Sequence, residues 1–171
     1  LAVGVAGEAG LAVKAASARV HTARRNWREK LAGTGDRLNV GYRDSEGVYL
    51  PDTLACFPDR ALNETLYLWL LAQLSFTAPT GLSWLESNRQ ATQQTLSRLP
   101  GLGQHYQQLV AAALALRPDP ATLPPDEAQW ERAIVQVLQD PSQPVEEPPP
   151  ARRAAQAVPL WRYPAPSALA C

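Results

Sequence analysis

Apolar positions crowd most densely between Asp59 and Phe76, in DRALNETLYLWLLAQLSF. Leu66, Tyr67, Leu68, Trp69, Leu70, Leu71 and Ala72 follow one another without a break. Such a run covers the whole circumference of a helix, and a helix apolar all round lies at the centre of a bundle or in a membrane. A bilayer requires roughly 20 apolar residues. Glu64 and Thr65 precede the run and Gln73 follows it, so it is too short to span. The pattern predicts a buried core helix with Asp59 as its N-cap, ending before Pro79.

Downstream the period stays helical. Ser83-Trp84-Leu85-Glu86 reads as a capping box, with the Ser83 hydroxyl on the third amide and Glu86 reaching back. Leu85, Asn88, Thr92, Leu96 and Leu99 then share a face until Pro100-Gly101 breaks the helix. Leu102, Tyr106, Leu109, Ala113 and Leu116 recur at spacings of three and four, the mark of an apolar helical stripe. After Arg117-Pro118 a further helix is predicted, capped by Asp126, with Trp130, Ile134, Val137 and Leu138 facing inward until Pro141. Short connections between these helices imply antiparallel neighbours.

Upstream the pattern changes. Residues 1–12 are rich in Gly and Ala and instruct little. From Val13, the residues Val13, Ala16, Val20, Trp27 and Leu31 predict an amphipathic helix whose other side carries Lys14, Arg19, Arg24, Arg25, Arg28 and Lys30. Gly33 to Gly35 stops it. Leu38, Val40 and Tyr42 then alternate before DSEG, and Val48 and Leu50 after it, which signals a short β-hairpin. DTLACF is expected to form one helical turn before Pro58. From Pro141 to Pro150, PSQPVEEPPP suits neither helix nor central strand and reads as an extended linker. The apolar AVPLWRYP beyond it either docks on the domain or leads into something further.

The fold class predicted is mainly α: a helical bundle with one short β-hairpin and a proline-rich C-terminal extension. Residues 1–35 hold the Gly/Ala-rich segment and basic helix, 36–140 the hairpin and bundle, and 141–171 the linker or extension. The predicted core comprises Leu66, Tyr67, Trp69, Leu70, Trp84, Leu85, Leu96, Tyr106, Leu109, Trp130 and Ile134.

Composition narrows the function. Sixteen basic and sixteen acidic residues balance to zero, so no global field draws nucleic acid or an anionic membrane. The basic helix is then better read as a solvated face than as a nucleic-acid binder. Two cysteines, Cys56 and Cys171, make no disulfide framework, which favours a reduced, cytoplasmic setting. The chain has no Met and begins at Leu1, so it is expected to be a piece of something longer. His21 and His105 lack partners at ligand spacing, and no phosphate loop, GxSxG or GxGxxG is present. Neither a metal, a cofactor nor catalysis is predicted.

The order of several short strings carries a resemblance. LPDTLACFPDRALNETLYLWLLAQLS is followed by WLESNRQATQQTLSRLPGLGQHYQQLVAAALALRPDP and later by VPLW. The LP…FP lead-in, N-x-x-LYLWLLA, WL-x-x-N, PGL-x-x-x-Y, RPDP and VPLW elements, over residues 48 to 163, resemble the N-terminal region of the NorD/CbbO family. The resemblance implies a non-enzymatic adaptor for a MoxR-type AAA+ ATPase. In the NorD branch the pair activates nitric oxide reductase through maturation of its iron centre; in the CbbO branch it remodels inhibited Rubisco. The wording of the WL-x-x-N and PGL-x-x-x-Y strings leans to NorD. Members end in a von Willebrand factor A domain whose D-x-S-x-S motif holds a metal and which would grip the reductase. The nearest string here, Asp140 to Pro144, lacks the second Ser. For the ATPase, the predicted contact residues are Asn88 and Arg89, read as projecting from the bundle, and the basic face of Arg24, Arg25 and Arg28.

Overall fold

The computed structural model describes residues 12–16, 42–43, 47–51, 54–77 and 80–163. Its strands are β1 (Ala12–Ala16), β2 (Tyr42–Arg43) and β3 (Gly47–Pro51). Its helices are α1 (Arg60–Leu74), α2 (Trp84–Arg98), α3 (Gly103–Ala115) and α4 (Pro125–Gln139). Short 3-10 turns at Pro100–Leu102 and Pro120–Thr122 join the later helices. The fold is mainly helical.

Helix α1 is the hub, touching β3, α2 and α3, while α4 closes the far side against α2 and α3. Asp59 caps it, its carboxylate accepting from the Ala61 amide at 2.8 Å. Leu66, Trp69, Leu70, Ala72, Gln73 and Leu74 are buried, and Phe76 just beyond is buried too. The burial is not circumferential. Leu68 is 39% exposed, and Tyr67 and Leu71 are half-buried. One flank of α1 therefore faces outward, a departure from a helix enclosed on every side. Gly81 turns the chain toward α2 at φ +80°, a left-handed conformation that glycine adopts without a Cβ clash.

Of the other core positions, Leu85, Tyr106, Leu109 and Ile134 are buried, and Trp84, Leu96 and Trp130 are partly buried against the same cluster. The rings of Trp69 and Tyr106 lie 4.7 Å apart, and the Tyr106 hydroxyl donates to the Leu138 carbonyl at 2.8 Å, tying α3 to the end of α4. Burial raises the Tyr106 phenol above its ordinary range. The stripe on α3 ends early: Leu116 is 49% exposed.

Three local expectations differ from the structure. Residues 12–16 are a strand rather than the start of a helix, paired parallel to β3 with Val13 opposite Val48. The hairpin pair β2–β3, with Tyr42 opposite Tyr49, leaves one edge of β3 open, and that edge recruits β1. An open edge carries unpaired amides and carbonyls, and satisfying them outweighs the weak helical periodicity of AVKAA. The remainder of the predicted basic helix, with Arg24, Arg25 and Arg28, lies outside the described residues. Cys56–Asp59 is a bend, not a helical turn. Helix α4 begins at Pro125 with Pro124 as its cap, and Asp126 sits inside the first turn. Proline there has no amide to leave unsatisfied, so it starts the helix two residues earlier.

Among the described residues no helix is long and apolar enough to cross a membrane.

Candidate functional site

Among the described residues the most elaborate polar construction grips the strap, residues 142–163. From Pro144 to Arg152 the strap runs extended along α4, opposite in direction. Gln136 donates to the Pro144 carbonyl at 3.3 Å and the Trp130 indole to Pro149 at 2.8 Å. The Arg152 amide donates to Asp126 at 3.0 Å, which holds that carboxyl below its usual range. The strap then turns inward, and Val158, Leu160, Trp161 and Tyr163 enter the core. The linker composition thus sits on the bundle surface, and the apolar end docks.

An irregular segment brings amides and carbonyls into the core without a helix or sheet to satisfy them. Here side chains of the helices do so. The Trp69 indole donates to the Leu160 carbonyl at 2.9 Å. Trp84 donates to the Arg162 carbonyl at 3.1 Å. Asn88 makes a fork on the same residue, its Oδ1 accepting from the Arg162 amide at 2.7 Å and its Nδ2 donating to the Arg162 carbonyl at 3.2 Å. The Arg162 guanidinium in turn donates to the Gln73 carbonyl. Trp84 also packs its ring edge-on against Trp161 at 5.2 Å and near Tyr163 at 5.6 Å. The Tyr163 hydroxyl accepts from the Val158 amide at 2.9 Å, and burial pushes its pKa up to about 12.

A buried ion pair holds the other end of the cleft. Arg117, just past α3, pairs with Glu131 of α4, the two side chains being 4% and 2% exposed. The Nη2–Oε2 bond is 2.8 Å. Arg117 also donates to the carbonyls of Ala157 at 3.3 Å and Gln156 at 3.2 Å. Its planar fork serves several acceptors at once, which a lysine would not do.

The sequence-predicted contact residues fall differently from expectation. Asn88 is 1% exposed and belongs to this cleft; it does not project from the bundle. Arg89 is half-buried, forked onto Glu86 with both contacts at 2.7 Å, and donates to the Pro141 carbonyl at 2.8 Å. That fork holds the Glu86 carboxyl below its ordinary range and raises the guanidinium. Glu86 is thereby directed at Arg89 and Gln90, while Ser83 caps its half of the box at 3.3 Å. Arg117, Glu131, Gln73 and Arg162 were missed by sequence reasoning, whereas Trp161 lay in the apolar AVPLWRYP segment expected either to dock or to lead onward. The signals available for the rest were the polar Gln73 between Ala72 and Leu74 and the apolar neighbours of Arg162.

A second fork occurs at Asn63, which accepts from the Phe57 amide at 2.9 Å and donates to its carbonyl at 2.7 Å. The asparagines of the N-x-x-LYLWLLA and WL-x-x-N strings therefore both pin backbone. His105 is exposed on α3, and the Cys56 thiol is half-buried with its pKa raised by burial. Cys171 and His21 lie outside the described residues. Among the described residues no three His, Cys, Asp or Glu side chains gather as a metal site. Asp140 of the DPSQP string accepts from both the amide and hydroxyl of Ser142 in a turn after α4.

The described side chains thus offer recognition of backbone. The chain is 42% identical over 159 residues to Protein NorD of Stutzerimonas stutzeri, covering 93% of this chain and 26% of that protein. The chain belongs to the NorD family. An uncharacterized protein of Pseudomonas aeruginosa is 37% identical over 158 residues, 92% of this chain and 26% of its own length. Protein NorD of Brucella abortus is 31% identical over 126 residues, 67% and 20% respectively. The chain spans about a quarter or less of the length of these NorD-family relatives. No family model and no solved structure matches it.

Proposed function

We propose that this chain is a non-enzymatic adaptor module for a MoxR-type AAA+ ATPase, acting in the activation of nitric oxide reductase. The observation that carries the reading is the 42% identity to a Protein NorD along nearly the whole chain. The setting is the cytoplasm, and the energy comes from the ATPase. In this reading the described helices are a scaffold, with Trp69, Trp84 and Asn88 directed at the chain's own strap. Asn88 and Arg89, being occupied inside, are withdrawn as ATPase contacts. The basic residues Arg24, Arg25 and Arg28 remain the proposed contact, since planar guanidinium groups make paired bonds to carboxylates at interfaces.

Co-purification of the chain with its cognate ATPase, with and without nucleotide, tests the reading. Association that is lost in the Arg24→Ala/Arg25→Ala/Arg28→Ala variant is the expected result. No association in either nucleotide state removes the adaptor proposal. Equal association of the variant removes the basic face. The chain alone is expected to release no phosphate from ATP and to retain no stoichiometric metal.

A further inference from the structure

The cleft that holds residues 156–163 has the organisation of a peptide receptor. Its donors and acceptors address main-chain atoms: Trp69 on Leu160, Trp84 and Asn88 on Arg162, Arg117 on Gln156 and Ala157. Its apolar walls take Leu160, Trp161 and Tyr163 as anchors. The bound segment turns at Val158–Trp161, the Trp161 amide donating to the Val158 carbonyl at 3.2 Å, and it contributes no helix or strand to the bundle, so removing it breaks no regular element.

The tether to that segment is loosely held. No residue from 142 to 154 is buried, and its bonds to α4 are solvent-exposed. Its prolines keep it extended along the surface of α4. The fit in the cleft is also incomplete. The buried Trp161 Nε1 and Gln73 Oε1 have no hydrogen-bond partner among the described residues, which lowers the strap's hold.

We propose that the cleft is a receptor for a short irregular peptide with a turn, and that in trans it takes the strap of a second copy of this chain. Receptor and ligand are encoded together, so every second copy offers a segment with the matching anchors and spacing. Exchange forms the same contacts between chains that exist within one, and it needs no new surface. The tether gives the chain's own strap a high effective concentration, in the millimolar range for short flexible connections. Exchange therefore emerges when a chain's own strap is weakened or displaced.

A labelled synthetic peptide of residues 151–163 tests this on the full chain. It is expected to bind the Trp161→Ala chain saturably at one site and the parent scarcely at all. Adding Asn88→Ala to Trp161→Ala should weaken binding by about tenfold or more, as loss of the fork on Arg162 implies. If Trp161→Ala unfolds alone, the peptide should restore its helical circular dichroism, and the milder Trp161→Phe chain should bind directly. Absence of both binding and restoration overturns the receptor. The second-copy occupant is read by mixing full-length Trp161→Ala, which keeps its cleft, with full-length Asn88→Ala, which keeps its strap. A one-to-one heterodimer by light scattering is expected. Peptide binding without any heterodimer overturns the exchange between copies.

Discussion

Asn63 and Asn88 make the same fork, each closing on the amide and carbonyl of a single residue, yet they work at different ranges. Asn63 holds Phe57, six positions away, and orders the lead-in to α1. Asn88 holds Arg162, 74 positions away, and orders the end of the strap. The first is half-buried and local; water can replace part of it. The second is buried and non-local, and it accepts from the Arg162 amide at 2.7 Å. The contrast teaches that a polar residue on a helix face is not thereby a surface residue. Where an irregular segment enters a core, its backbone requires side-chain partners, and those partners resemble interface candidates when read in sequence.

The largest test of that contrast removes a group serving both packing and backbone. Trp69→Ala deletes a buried ring and the donor to Leu160, and should cost about 3–5 kcal/mol. Thermal or denaturant unfolding measures it, and a midpoint near the parent's would place Trp69 outside the core. Glu131→Ala leaves Arg117 charged and buried beside the strap, and a cost of about 3 kcal/mol or more is expected. A loss under about 1 kcal/mol would mean that water solvates Arg117 and that the pair is not a clamp.

The two asparagines then separate. Asn88→Ala should cost about 2–3 kcal/mol, because it removes a buried acceptor from the Arg162 amide and a second donor from its carbonyl, whereas Asn63→Ala should cost about 1 kcal/mol. Equal losses would erase the distinction between the local and the long-range fork.

Much of the bundle was legible because its signals are local. The Asp59 and Ser83 caps, the Pro100–Gly101 break and the Tyr106–Leu109–Ala113 stripe each act within a few residues, and the helices follow them. The hairpin was legible for the same reason, through alternation about a Gly-containing turn. The parallel pairing of β1 with β3 was not, since its partners lie far apart in sequence and the spacing of AVKAA suits a helix as well as a strand. The cleft was the least legible part. Glu131 and Asn88 read in sequence as ordinary helix-surface residues, and their partners Arg117 and Arg162 lie outside the helices. The apolar circumference of α1 overstated its burial because Leu68 lies on a flank that no described residue covers fully.

The smallest expected effect is acid sensitivity of the strap. Glu86 and Asp126 are both held below the ordinary carboxylate range, by the Arg89 side chain and the Arg152 amide respectively. Each binds its proton less readily when folded, so each contributes stability above roughly pH 4, the unfolded value. That contribution is lost as pH falls through the lower folded values. Thermal midpoints between about pH 5 and 3 should decline with acid, and Asp126→Asn should make the decline shallower. An unchanged slope would show that the Arg152 contact adds nothing to the strap's hold.

The central claim is that side chains of the helices satisfy the strap's backbone, and amide hydrogen exchange at Arg162 tests it most directly. In the parent, the Arg162 amide should be protected to a degree approaching that of Val137 in the buried face of α4. In Asn88→Ala, protection at Arg162 should fall by orders of magnitude more than protection at Val137. An Arg162 amide that exchanges freely in the parent, or that falls only in step with Val137 in the variant, would contradict the account.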